Sequence, residues 1–382
     1  MTVKETLIRL FEENKGHYIS GEEIAQALHC SRTAVWKAVN QLKEDGYEIE
    51  AVKNKGYMLS LESDVLSEQA ISRYLEHTYP VSVFQEITST NDVLKKLAVS
   101  EHVPEGTTVI SDYQTGGKGR LGRSFFSPKG TGLYISMLLR PDGTVMDNLM
   151  LTAQSAVAVY RAVRKVCGVE LSIKWVNDLY YEGHKVCGIL SEGQTSMESG
   201  RMEFVIVGIG INLYEPEEGF PEDIREKAGS ILGKRSEGKI VDRNRIAAEL
   251  IREFYALAPE KTLAQEYIDH NMVPGHDIMV IDGKTQRPAR ATDHQVILPR
   301  PEHDLSIIDR RIAPWTIDRL VGPFLDDPTC LFKLIHPLIR HKMILDTLAL
   351  TLTDRTRRIR RDLLPVRMKR LQPLIDRILS AC

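Results

Sequence analysis

The 382-residue chain has room for two or three domains, and its 42% hydrophobic content is enough to build cores. A formal net charge of −2 gives no bulk attraction to nucleic acid or membrane, so any DNA contact has to come from a local basic patch. The five scattered cysteines (Cys30, Cys167, Cys187, Cys330, Cys382) form no CxxC pair and there is no run of about 18 apolar residues, which argues against a zinc site, a disulfide framework or a membrane span and leads to the expectation of a soluble, cytoplasmic protein.

In chain order, Val3, Leu7, Leu10 and Phe11 have helical spacing, and Ser20-Gly-Glu-Glu23 is a capping-box pattern opening a second helix through Leu28. Ser31 can cap a third helix, Ser31–Glu44, in which Val35, Val39 and Leu42 share one face while Arg32, Thr33, Lys37 and Asn40 lie largely off it. Two short strands between Tyr47 and Leu61 flank Lys53-Asn-Lys55-Gly56. Three small helices and a basic hairpin make a winged helix-turn-helix over 1–62, with Arg32, Thr33 and Lys37 on the recognition helix and Lys53 and Lys55 in the wing, where phosphates would lie. A three-helix protein-binding module is the alternative, because residues 1–62 hold 8 basic and 10 acidic side chains.

After a polar connection at 62–68 come a helix at Glu68–Leu75 and a strand at Val81–Ile87. Thr88-Ser89-Thr90-Asn91 then reads as a cap for a helix from Asp92 to Val99, or as a set of hydroxyls for a polar ligand head group. Tyr113–Arg123 (Tyr-Gln-Thr-Gly-Gly-Lys-Gly-Arg-Leu-Gly-Arg) carries four glycines and three cations between two strands. That composition suits a phosphate or carboxylate loop, mobile when empty, in which Gly116, Gly117, Gly119 and Gly122 take positive φ. A solvated surface loop is the alternative, and the spacing fits neither a P-loop nor a dinucleotide fingerprint. A helix at about Asp147–Val166 follows, then a strand from Leu171 ending at an Asn177-Asp178 turn. Next is a strand opened by Lys185, either a solvated edge residue or a fixed charge facing a buried pocket. Phe204–Leu213 is an apolar strand whose Gly208 and Gly210 would let a flat ligand lie against it, and Asp242 caps a helix through Leu257 with Ile246, Leu250 and Phe254 inward.

Taken in order, Ser89-Thr90-Asn91, Gln114 with Gly117-Lys118-Gly119-Arg120, Lys174-Trp-Val-Asn177-Asp178, Lys185-Val-Cys-Gly188 and Gly208-Ile-Gly210-Ile-Asn212 behind a winged helix resemble the bacterial bifunctional biotin–protein ligases that also repress biotin operons, over about residues 1–292. The resemblance implies an α+β chain: the winged helix, a ligase domain over 68–258 related to class II aminoacyl-tRNA synthetases, and an SH3-like barrel starting at 270–292. It implies biotin and ATP as substrates with Mg²⁺, a biotinyl-5′-AMP intermediate, transfer to a lysine of a carrier such as the biotin carboxyl carrier protein of acetyl-CoA carboxylase, operator DNA as partner, and a homodimer on adenylate binding. By the same resemblance Lys185, Lys118 and Arg120 are the reactive-centre cations. Ser89, Thr90, Asn91, Gln114, Lys118, Gly119, Arg120, Lys185 and Gly188 meet biotin. Arg123, Asn177, Asp178 and Asn212 lie at the nucleotide, with Asp178 the candidate for Mg²⁺. A biotin-sensing regulator without catalysis and a lipoate-type ligase are the competing functions.

Lys118 stands where the family usually has arginine, keeping the charge but losing bidentate geometry, and Val176 stands where proline is common. From His294 onward there is one glycine and one glutamate against thirteen arginines and three lysines. This composition does not read as the rest of a barrel. The stretch 293–382 is therefore expected to be an atypical tail, fitting a shifted reading frame or a chimera better than a nucleic-acid-binding extension.

Overall fold

The computed structural model describes residues 2–297 apart from 76–78, 101–102, 143–149, 197–200, 239, 261, 283–284 and 293–294. The chain opens with helices α1 (Val3–Glu13), α2 (Gly21–Ala27) and α3 (Arg32–Glu44), followed by the antiparallel hairpin β1 (Ile49–Val52) and β2 (Gly56–Leu59). Thr2 with Glu5 and Ser20 with Glu23 form full capping boxes, and the Ser31 hydroxyl accepts the Ala34 N–H at the start of α3. Val35, Val39 and Leu42 of α3 close on Leu7, Phe11 and Ile24, so the opposite face, with Arg32, Thr33 and Lys37, is left to solvent. Trp36 lies on that exposed face as well, 56% accessible.

Next come α4 (Glu68–Arg73), β3 (Val81–Phe84), α5 (Thr90–Ser100), β4 (Thr108–Ser111), β5 (Gly132–Leu139), α6 (Leu151–Cys167), β6 (Ser172–Lys174), β7 (Asp178–Tyr181), β8 (His184–Thr195), β9 (Met202–Asn212), α7 (Arg243–Leu257) and α8 (Gln265–Asp269). The strands form one seven-stranded sheet in the order β3-β4-β5-β9-β8-β7-β6, parallel only between β3 and β4. Every residue of β5 is buried, because helices cover both faces of the sheet: α6 and α7 build the main core with Ile135 and Met137, while Leu94 and Ala98 of α5 close on Leu138 and Ile206. Ile246, Leu250 and Phe254 of α7 face inward as their spacing requires.

Three local expectations change. Helix α5 begins at Thr90, so Thr90 and Asn91 are buried in its first turn and face the sheet rather than capping from outside. The run from Leu171 is two strands, and Asp178 opens β7 instead of closing a turn. In the C-terminal part, β10 (Asp277–Asp282), β11 (Thr285–Thr292) and β12 (Gln295–Ile297) form an antiparallel meander, which carries strand pairing to Ile297, inside the stretch read as atypical tail. The rest of that tail lies outside the described residues, as does the start of the helix expected from Asp147.

The connection after the winged helix is pinned by charge. Asp64 accepts from Arg235 Nη1 and Nη2 (2.9 and 2.7 Å) and from Arg243 Nε (2.9 Å), and Arg243 Nη1 reaches on to Asp112 Oδ1 (2.6 Å). Lys15 Nζ donates to Ser63 O at 2.6 Å beside it. Burial alone would raise the Asp64 carboxyl, but Arg243 and Arg235 outweigh it and hold the group below its ordinary value. A depressed carboxyl contributes its full stability above its unfolded value near ~4 and loses it as pH falls through the folded one. Asp64→Asn is therefore expected to be less stable at neutral pH by about 3 kcal/mol, with the deficit shrinking on acidification below pH ~4. Urea unfolding from pH 7 to pH 3 measures this, and a deficit constant with pH would contradict the pairing.

Candidate functional site

The glycine loop is a folded turn rather than an open strap. Lys118 and Ser124 form a bridge, Phe125 N–H donates to Gly117 O (2.8 Å), and Gly119 N–H donates to Arg123 O (2.7 Å) around a short 3₁₀ turn at Arg120–Gly122. Of the four glycines only Gly122 has positive φ (73°), and Leu121 beside it is left-handed too (57°). Gly117 is needed for space, since a Cβ there would stand 2.4 Å from Phe125 O.

This turn covers a cavity of about 300 Å³ over the middle of the sheet. The floor is the cross-strand pair Gly188 and Gly210. The Phe125 ring lies on it, so close that a Cβ on Gly210 would be 2.4 Å from Cε1. One end is lined by Ser89, Thr90, Asn91 and Gln114, and the other by Arg123, Asn177, Asp178 and Lys185. Lys118, Gly119 and Arg120 form the roof.

Lys118, Arg120 and Lys185 are each held by a side-chain oxygen. Lys118 Nζ donates to Asp92 Oδ1 (2.5 Å), a hydrogen bond that raises the ammonium above its ordinary pKa. Arg120 Nη1 donates to Asn177 Oδ1 (2.8 Å), and Asn177 is itself fixed by Nδ2 to Ile189 O (3.1 Å). Lys185 Nζ donates to Asp178 Oδ1 (2.7 Å), with both groups about one-quarter to one-third exposed (24% and 32%). Lys185 is thus a charge aimed into the cavity and not a solvated edge residue. Three cations with exchangeable partners around an apolar floor suit a ligand with an anionic end, a flat body and a polar head.

Asn212 is the exception among the sequence candidates. It does not line the cavity, and its Nδ2 donates to Gly229 O (3.1 Å) at the end of β9. Phe125 and Leu190 line the cavity without having been singled out; nothing in their sequence context distinguishes them from core residues. Among the described residues no group of three or more His, Cys, Asp or Glu side chains could hold a metal ion. On the winged helix, Arg32, Thr33 and Lys37 are exposed along one face of α3 and Lys53 and Lys55 in the hairpin turn, with Lys55 Nζ 5.5 Å from the centre of the Tyr18 ring.

The biotin/lipoate A/B protein ligase family matches residues 83–212, and the HTH domain family matches residues 3–58. The bifunctional ligase/repressor BirA of Bacillus spizizenii is 36% identical over 275 residues, covering 72% of this chain and 82% of that protein. The chain belongs to the bifunctional biotin ligase/repressor family. BirA of Escherichia coli is 32% identical over 260 residues, 67% of this chain and 76% of that protein. A solved biotin protein ligase from Aquifex aeolicus, in complex with biotin and ATP, is 27% identical and covers 56% of this chain and 87% of that one, at a TM-score of 0.46. The family-model matches fall on the winged helix and on the strands that build the cavity, β3 to β9.

The ring-on-glycine floor gives a test independent of ligand. Gly210→Ala forces the Phe125 ring off the sheet and is expected to cost about 1–3 kcal/mol of stability, as overpacking does. Urea unfolding at neutral pH measures it, and an unchanged midpoint would contradict the placement of Phe125.

Proposed function

We propose that the chain is an ATP-dependent biotin–protein ligase that also represses transcription in response to biotin. The observation that carries the ligase reading is the convergence of Lys118, Arg120 and Lys185 on one glycine-floored cavity, each held by an oxygen that a ligand anion can replace. A biotin carboxylate oxygen attacks the α-phosphorus of ATP, the bond to the β-phosphate oxygen breaks, and pyrophosphate leaves. Two anions meet in that step, and the three cations offset their repulsion and the charge that develops on the phosphoryl oxygens. A carrier lysine amine then attacks the biotinyl carbonyl carbon, AMP leaves, and the amine gives up a proton. The turn at Lys118–Arg123 shields the mixed anhydride from water between the two steps.

Lys185 takes the role at the carboxylate and the adenylate linkage, and Ser89, Thr90, Asn91 and Gln114 the role at the biotin head. Gly119 lies in the roof over biotin, and Arg123, Asn177 and Asp178 lie on the nucleotide side. Mg²⁺ would come with the ATP, and Asp178, a lining carboxylate whose Oδ1 holds Lys185, is the side chain there that would meet it, since Mg²⁺ takes one or two carboxylates beside substrate phosphates. The carrier is the biotin carboxyl carrier protein of a carboxylase such as acetyl-CoA carboxylase, in the cytoplasm. In the repressor role, adenylate binding makes two copies pair, and their α3 helices then meet two half-sites of an operator.

Lys185→Ala should lower biotin-dependent ATP–pyrophosphate exchange at least about a hundredfold while the protein still unfolds at its usual urea midpoint. Exchange near the wild-type rate in the folded variant would overturn the role of Lys185, and exchange supported by lipoate and not biotin would overturn the biotin ligase assignment. Arg32→Ala should weaken operator binding by about 1–3 kcal/mol without changing carrier biotinylation. Fluorescence anisotropy and a carrier-labelling assay read the two separately, and parallel loss of both would contradict separable roles.

A further inference from the structure

A chain of side-chain contacts, buried at its centre, runs from the cavity to a carboxylate outside it. Glu192, on β8, accepts from Asn91 Nδ2 at 2.7 Å and does not line the cavity. Asn91 Oδ1 is 2.6 Å from Ser136 Oγ, Ser136 Oγ is 2.7 Å from Thr90 Oγ1, and Thr90 Oγ1 is 3.1 Å from Gln114 Oε1. Ser136, Thr90 and Asn91 are almost wholly buried.

The direction of these bonds follows from counting protons. A carboxylate only accepts, so the Asn91 atom that faces Glu192 is the NH₂ group and the oxygen faces Ser136. Ser136 has one hydroxyl proton, and a 2.6 Å approach to an amide oxygen requires it there. The proton in the 2.7 Å contact between Ser136 and Thr90 is then the threonine's. Gln114 Oε1 is fixed independently, by the Thr90 backbone N–H at 2.8 Å, and its Nε2 donates to Ser127 Oγ at 2.8 Å. Thr90 Oγ1 is within donating reach of Gln114 Oε1 at 3.1 Å, but with its single proton in the shorter contact to Ser136 both oxygens are left as acceptors at the cavity wall.

We propose that Glu192 is a positioning residue that, through Asn91 and Ser136, commits the Thr90 hydroxyl to accepting and so makes this end of the cavity select a ligand head carrying N–H donors. The proposal rests on the ligase reading, in which that head is the cyclic urea of biotin, with its two N–H groups. Gly208 makes the relay possible, because a Cβ there would lie 2.1 Å from Asn91 Oδ1. Loss of the carboxylate lets Asn91 turn over, after which Ser136 can donate to Thr90 and Thr90 to Gln114. The wall then presents one acceptor fewer to the urea.

The test is calorimetric titration of biotin into the full chain, with steady-state kinetics of pyrophosphate exchange alongside. Glu192→Leu is expected to weaken biotin about tenfold, in the dissociation constant and in KM for biotin, which is the size of one misdirected hydrogen bond. KM for ATP and kcat at saturating biotin stay within about twofold. Glu192→Gln restores biotin affinity to within about twofold of wild type, because its amide oxygen also accepts from Asn91. Ser136→Ala weakens biotin as Glu192→Leu does, and the double variant is no weaker than either single one, since all act on one relay. Additive losses in the double variant, or a Glu192→Leu that binds biotin normally, would overturn the proposal. A Glu192→Gln as weak as Glu192→Leu would overturn it as well, assigning Glu192 instead to its charge near Lys118. If Glu192→Leu does not fold, the comparison of Ser136→Ala with Glu192→Gln decides: normal binding by Ser136→Ala, or weakened binding by Glu192→Gln, overturns the proposal. A wild-type chain that binds no biotin would fail at the ligase reading itself, a result separate from any effect of the variants.

Discussion

The Arg243 guanidinium, buried between Asp64 and Asp112, is the interaction on which the rest of the described structure depends. Asp64 lies in the connection leaving the winged helix, and Asp112 follows β4 two residues before Gln114 of the cavity wall. One side chain at the start of α7 thus ties the reading head, the sheet and the ligand wall together. A buried ion pair of this kind is poor as a source of stability relative to apolar packing, but costly to break. Its effect is to fix where the connection that leaves the winged helix meets the sheet.

The cavity follows the same logic in miniature. Lys118, Arg120 and Lys185 do not point into empty space; Asp92, Asn177 and Asp178 hold them, and in the proposed reaction substrate oxygens replace those partners. Holding a charge with an exchangeable partner keeps it oriented, and preorganised charge is what a phosphoryl or acyl transition state needs. Lysine at position 118 fits this arrangement, since a point-charge ammonium reaches a single oxygen of Asp92 without needing the planar fork of arginine.

Much of this was legible in the residues. The capping box at Ser20, the apolar stripe Val35-Val39-Leu42, and the glycine–cation composition of 116–123 are local signals, and local signals survive folding. What could not be read was where side chains end up when the contact spans distant sequence. Arg243 looks like an ordinary first-turn residue until Asp64 and Asp112 arrive from 179 and 131 residues away. Phe125 looks like one of two adjacent aromatics until Gly188 and Gly210 leave a floor for it, and Glu192 looks like a solvated strand residue until Asn91 reaches it across 101 positions. Thr90 and Asn91 were misplaced as outer caps because hydroxyl and amide side chains at a helix start usually cap, whereas here a neighbouring sheet strand offers Ser136 as a better-buried partner. Asn212, assigned to the nucleotide by its motif, lies off the cavity lining with its Nδ2 on Gly229 O, a contact the motif does not announce.

The central claim is that the glycine-floored cavity makes and holds a biotinyl adenylate. Mass spectrometry of the chain after incubation with biotin and ATP, desalting and mild denaturation tests it most directly. The account expects close to one biotinyl-5′-AMP released per folded chain, dependent on both substrates, and none when lipoate replaces biotin. Recovery of unreacted biotin and ATP alone, from a chain shown to be folded, would contradict it.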